Sequence, residues 1–307
     1  MKKALLLIFS LGTLLVATPS SIQVWSANNK NGTITPQSIE DAFNSVGLDV
    51  LANNNMNKPF KLRFKKIHYK VYNLAIFINN DLTLRLIQKY PHFGVLSPMT
   101  MSIWSDGETM NISTLSLKGM SRTTGIPFKD KTLREYAALI QKALKKAMPH
   151  GHFKKLPYRD HDDKKSYLVS FSMPVEYEED QTPGDFEENF EDEFTGELEP
   201  LGFLFPNYLN LKEDIFEDAG YDKYDFFNTL SICKFDVIFP VSKLHPEVGA
   251  YAPCTFYIYK KKGEKEMHMG FLGVENWIET ADIEDDASIK PLKEAQGMIK
   301  KVIEEMK

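Results

Sequence analysis

Cysteine is nearly missing from this 307-residue chain: only Cys233 and Cys254 occur, both in its second half. Two cysteines cannot make a disulfide framework, and without a Cys-x-x-Cys pair they form no redox motif. A phosphate-cradling glycine loop and a Gly-x-Ser-x-Gly elbow are also absent, so neither nucleotide-loop nor serine-hydrolase chemistry has a footing here. No Asp or Glu stands alone in an apolar run, as an acid of raised pKa would. Past the N-terminus, no apolar run is long enough to cross a bilayer.

The N-terminus has a run of its own. Lys2-Lys3 precede an apolar stretch from Ala4 to Ala17, interrupted by Ser10, Gly12 and Thr13 and closed by Thr18-Pro19-Ser20-Ser21. A dibasic start and a short apolar core fit a secretory signal peptide, assigned to residues 1–21, and imply a periplasmic or secreted protein. The remainder, 43% hydrophobic and 26% charged over the whole chain, is ordinary for globular domains.

Offset by 155 residues, the second half lies on the first. Tyr69, Asn73, Asp81, Pro91, Gly94, Pro98, Thr100 and Ile103 fall on Tyr224, Asn228, Asp236, Pro246, Gly249, Pro253, Thr255 and Ile258. Eight identities in 36 ungapped positions exceed the roughly two expected by chance. Gly47 and Gly202 extend the register, and Gly107-Glu108 meets Gly263-Glu264 after a two-residue insertion. The expected organisation is therefore two α+β repeats, residues 22–149 and 166–307, joined by a linker over 150–165. The identities are turn formers and apolar spacers, so they speak of architecture and not of chemistry.

Each repeat reads as strand, helix, several strands, helix. Ile22–Trp25 alternates as a first strand, and Pro36-Gln37-Ser38 opens a helix over Ile39–Val46 closed by Gly47. Phe60–Lys65 has period two, apolar on one face and basic on the other, and reads as a strand. Leu74–Ile78 reads as a buried strand, and Asp81–Lys89 as a short helix ended before Pro91. Thr100–Trp104 and Met110–Leu117 flank a hairpin at Ser105-Asp106-Gly107. A capping box at Thr132–Glu135 starts a last helix with Leu133, Tyr136, Ile140 and Leu144 on one face. In the second repeat, Tyr167–Phe171 is a strand, Phe186, Phe190, Phe194 and Leu198 form a core stripe, and Leu292, Ile299 and Ile303 mark the last helix.

Charge separates the repeats. Residues 22–149 hold 17 Lys and Arg against 8 Asp and Glu, whereas residues 166–307 hold 13 against 31. Basic Phe60–Lys65 and acidic Glu213–Asp225 are expected to meet at a contact between the repeats. A net charge of −5 on an exported chain argues against nucleic acid as a partner.

Candidate site residues follow from residue type and spacing. Met99 and Met101, like Met267 and Met269 around His268, place two thioethers on one strand face, which suits either core packing or a soft metal such as Cu(I). His150 and His152 with Asp160–Asp163 carry metal-ligand types on the linker. Trp104 and Tyr259, just before the two hairpins, pack on the last helix of each repeat or line a ligand cavity. Asn73 and Asn228 are strand-end turn residues or polar groups in a pocket. Cys233 and Cys254, aligned with Ile78 and Met99, fall inside strands and are expected to bond in an oxidising compartment.

The run Leu74–Ile78, Asn79-Asn80, Leu84–Lys89, Pro91, Gly94, Pro98, Met99–Trp104 and Asp106-Gly107 resembles the bacterial "domain of unknown function 302" family. So does the opening helix Ile39–Val46 with Gly47–Val50, and the second repeat keeps Pro246, Gly249, Pro253 and Gly263. The Gly-Asn-Pro and Gly-Thr-Pro loops of that family are lacking in both repeats. The resemblance implies a β-α-β4-α order, a curved antiparallel sheet with helices on one face, and a tendency to pair. It transfers no catalytic residue. The resulting expectation is an exported, monomeric pseudo-dimer that binds a small ligand or a periplasmic protein, with no cofactor. Copper handling, or an enzyme with a cleft between the repeats, are the alternatives.

Overall fold

A computed structural model of the chain describes residues 20–158 and 167–307. The expected signal peptide, apart from its last two residues, and Asp160–Asp163 of the expected linker lie outside the described residues.

The first half runs β1 (Ile22–Asn28), α1 (Pro36–Asn44), β2 (Asp49–Asn55), α2 (Asn57–Phe64), β3 (Val71–Ile78) and α3 (Asn80–Lys89). A 3-10 segment, Pro91–Leu96, leads into β4 (Met99–Ser105), β5 (Thr109–Leu115), α4 (Leu117–Thr124), α5 (Lys131–Ala147) and β6 (His152–Phe153). The second half runs β7 (Leu168–Pro174), α6 (Pro183–Leu198), β8 (Leu204–Asn210), a π-helical turn (Lys212–Glu217), β9 (Tyr224–Cys233) and α7 (Phe235–Leu244). A second 3-10 segment, Pro246–Tyr251, leads into β10 (Cys254–Lys261), β11 (Glu266–Leu272), α8 (Val274–Thr280) and α9 (Asp286–Glu305). The strands form two antiparallel sheets, ordered β2-β3-β4-β5-β1-β6 and β8-β9-β10-β11-β7. The fold class is α+β.

Local chemistry sets the boundaries. Thr35 and Thr182 each accept the N–H three residues on, with proline as the first helical residue, so α1 and α6 start alike. Gly47 and Gly202 both turn at φ +86°, a left-handed value that favours glycine. At the β4–β5 hairpin, Asp106 Oδ1 accepts from the N–H of Glu108 and Thr109. Helix α5 is capped by Asp130, which accepts from Thr132 and Leu133 N–H, so it starts before the Thr132–Glu135 box. Its predicted face Leu133, Tyr136, Ile140 and Leu144 is fully buried, and Phe190, Phe194 and Leu198 of α6 are core as well.

Phe60–Lys65 is not a strand. Its first five residues end α2 and Lys65 is the left-handed cap, because Phe60 and Phe64, four apart, reach one helix face and pack on Phe239 at ring distances of 5.1 and 4.0 Å. Alternation over six residues fits both periods, and tertiary contact decides for the helix. Strand β2 escaped the sequence reading because Asp49–Asn55 is polar and mostly exposed. The expected linker begins with a strand, since Phe153 pairs with Trp25 at 4.7 Å between ring centroids.

One face of each sheet meets helices. Phe43 of α1 packs edge-on against Phe77 of β3, and Phe194 of α6 stacks on Phe256 of β10. The other faces are turned toward each other. Segment Pro91–Leu96 lies over β9, β10 and β11, and Pro246–Tyr251 lies over β4 and β5. A Cβ on Gly94 would sit 2.9 Å from Tyr257 Cβ, and one on Gly249 would sit 2.7 Å from Leu74 and against Ser102. Thr100 and Ser102 hydroxyls donate to the carbonyls of Ala250 and Pro246 at 2.6 and 2.7 Å. Helices α4 and α8 meet through Arg122–Glu279 at 3.1 Å and Asn276–Thr123 at 3.3 Å.

The basic segment does reach this junction, but its ionic partner is Asp236, held by Arg63 with Nε at 3.2 Å. Acidic Glu213–Asp225 reaches it too, with its π-helical turn against α3, but its ion pairs stay within its own half, Glu217 with Lys212, Asp222 with Lys262 and Asp225 with Lys260. Aromatic packing dominates where charge complementarity was expected.

Candidate functional site

At the β2 and β8 edges, the facing halves enclose a cavity of about 460 Å³. Leu74 and Ile76 of β3 face it, because they pair with Asn54 and Ala52 of β2 and pleating points each pair the same way. Helix α2 begins directly after β2, with Asn55 Oδ1 accepting Asn57 N–H at 3.0 Å, and this brings Lys58 and Pro59 to the rim. The second half supplies Leu204, Pro206, Asn207, Cys233, Phe235 and Pro253. The wall is mostly apolar, with three amides (Asn54, Asn55, Asn207) and one ammonium. Asn207 Nδ2 is buried and has no partner among the described residues, so a donor is available inside the site. Burial pushes the Cys233 thiol up to about 12, which keeps it protonated and a poor nucleophile. The size and polarity suit a small apolar or amphipathic molecule.

Of the candidate site residues proposed from sequence, Cys233 alone lines this cavity. Cys233 and Cys254 are free thiols, so the expected disulfide is corrected. Strands β9 and β10 are neighbours, but the ladder sets Cys254 opposite Ile232, one residue short of Cys233, and the pleat does not oppose the two side chains. Trp104 shares a sheet face with Thr100 and Ser102, and Tyr259 stacks on Phe227 at 5.1 Å. Both therefore look toward the opposite half and not toward the last helix. Met99, Met101, Met267 and Met269 are core residues, at most 3% exposed. His268 points away from Met267 and Met269, meeting Ser172 Oγ at 2.8 Å, Glu264 at 3.3 Å and the Tyr259 ring. The pattern Met267-His268-Met269 thus does not converge, and no group of three or more His, Cys, Asp or Glu among the described residues is arranged for a metal ion.

Asn73 and Asn228 lie within strands on the helix-facing side, not at strand ends. Asn73 Nδ2 donates to Asn53 Oδ1 at 2.9 Å, and Asn53 in turn donates to Glu40 and the Pro36 carbonyl at 3.0 Å. Asn228 Nδ2 donates to Tyr208 and Glu191 at 2.7 and 3.1 Å, and Tyr208 donates to Glu187 at 3.2 Å. Burial holds the Glu187 carboxyl at about 7 and Glu191 at about 8, with Glu187 raising Glu191 further. No apolar run flags these acids in the sequence. Their signal is the four-residue spacing beside the Phe186, Phe190, Phe194 stripe, which brings both under the edge of the core.

Comparison with known proteins adds a family match over part of the chain. No curated protein matches the chain. A solved structure described as an uncharacterized conserved protein DUF302 from Bacillus stearothermophilus shares 18% identity, covers 41% of this chain and 96% of its own, and superposes with a TM-score of 0.33. Residues 26–149 match the family "Domain of unknown function DUF302".

Proposed function

We propose that this chain is a non-catalytic binding protein, exported and built from two copies of one fold, which holds a small apolar or amphipathic molecule between its halves. The observation that carries the reading is the cavity of about 460 Å³ whose apolar walls and few amides come from both halves. Three features support the duplication: the shared strand order, the matched caps at Thr35 and Thr182, and the reciprocal close approaches of Gly94 and Gly249. The leader after Lys2-Lys3 supports export. Binding, and not turnover, follows from the contents of the cavity: amides, one cation and a protonated thiol orient a ligand but offer no base or activated nucleophile.

A polarity-sensitive probe such as anilinonaphthalene sulfonate should bind the purified protein. Ala52→Trp and Ile76→Trp, which fill the cavity from two strands, should each weaken that binding at least about tenfold, the size of a lost buried contact. Equal binding by both variants would place the probe elsewhere and remove the cavity as the site.

A further inference from the structure

We infer that the cavity between the halves takes an aliphatic monocarboxylate, a single-chain amphiphile with an anionic head. This assignment rests on the cavity being a binding site and adds the class of molecule held there. Among the described residues that line it there is no Asp or Glu, and the one ionised side chain is Lys58. The ion pair of α2 is made by Arg63; Lys58, exposed at the rim, makes none among the described residues. The same lining holds one buried polar atom without a partner among the described residues, Asn207 Nδ2, and it is a donor. A cation and an orphaned donor both complement an anion.

Strand β8 is irregular where it carries this donor. Leu204 sits opposite Cys233 and Asn207 opposite Ser231, so three steps along β8 match two along β9. The extra residue is a β-bulge, which re-aims a side chain. Strict alternation would turn Leu204 and Asn207 to opposite faces. Their partners on β9 are two apart, so both share one face, the one that lines the cavity. Ser231 shares it too, since Asn228, three residues earlier, points the other way to Glu191 of α6. Ser231 is 1% exposed, and its Oγ also has no partner among the described residues. At the matched position the first half carries Ile76, which lines the cavity with Leu74. The first half thus offers hydrocarbon where the second offers N–H and O–H groups.

An aliphatic monocarboxylate uses both kinds of wall. Its chain lies against Leu74, Ile76 and Leu204, while its head keeps its charge because donors replace the water it leaves. A neutral alcohol of the same chain gains nothing from the charge of Lys58. An alkylamine is repelled by that charge and finds only a donor in Asn207 Nδ2.

Equilibrium dialysis of decanoate, decanol and decylamine against the intact chain tests it. Decanoate should bind at least about tenfold more tightly than either of the others. K58M and N207L should each weaken decanoate at least about tenfold and leave decanol within about twofold. K58R, which keeps the cation, should retain the preference, and the thermal midpoint of each variant is the folding control. Three results would each overturn the carboxylate: no binding of decanoate, decanol bound as tightly as decanoate, or a preference for decanoate that survives both K58M and N207L. If Ala52→Trp and Ile76→Trp still abolish probe binding in those cases, the cavity remains a site for another class of molecule. Decanoate binding that both tryptophans leave unchanged would remove the cavity and the carboxylate together.

Discussion

Glu187 and Glu191 show how a side chain can be ordinary in sequence and unusual in place. Each titrates higher in the folded protein than its usual 4.5, because burial disfavours the ionised form. The folded state therefore holds these protons more tightly than the unfolded chain. The stability they lend is complete below about 4.5 and is lost as pH rises through about 7 and 8. Thermal unfolding followed across this range should show the midpoint falling toward alkaline pH. The variant E187Q/E191Q should flatten that fall, by on the order of 2 kcal/mol at the alkaline end. A flat wild-type profile would mean the carboxyls are hydrated. Glycines give an opposed pair of outcomes. Gly249→Ala drives a methyl into Leu74 and Ser102 and should cost about 1–3 kcal/mol. Gly297→Ala, on an open face of α9, should instead stabilise by up to about 1 kcal/mol, since alanine favours helix. Chemical denaturation of both measures the contrast.

Among elements, those whose own residues decide their form were legible. The first strand, the short helix after Ile78, the Asp106-Gly107 hairpin and the buried face of α5 all follow from local pattern and caps. Strand β2 was not, because its polar residues join the sheet only through pairing with β3. Helix α2 was misread because its six-residue alternation is settled by Phe239, 175 residues from Phe64. The cavity was invisible for the same reason: its walls come from strands that meet only in the folded chain. Removal of the distant partner tests the account of α2. Phe239→Ala should cost about 2–4 kcal/mol in chemical unfolding, having lost stacking on Phe64, Phe60 and His68. Arg63→Ala, which breaks an exposed ion pair at the same contact, should cost no more than about 1 kcal/mol. The reverse ranking would return electrostatics to the junction.

On the scale of the whole molecule, the α4–α8 contact joins the halves through the guanidinium of Arg122, whose side chain is 2% exposed. Arg122→Ala should cost about 3 kcal/mol, because a buried guanidinium that donates to both Glu279 and Tyr167 across the joint is removed. The exchange R122E/E279R should recover a good part of that loss in a double-mutant cycle; additive losses would show that the two charges act separately. Arg122 and Glu279 are each the sixth residue of their helix, in helices that follow the last strand of each hairpin. A joint made by two identical halves would bring that position against itself. Two first halves would set cation on cation, two second halves anion on anion, and only unlike halves close. The contact thus acts as a parity check on assembly, one that a pair of identical subunits could never have written.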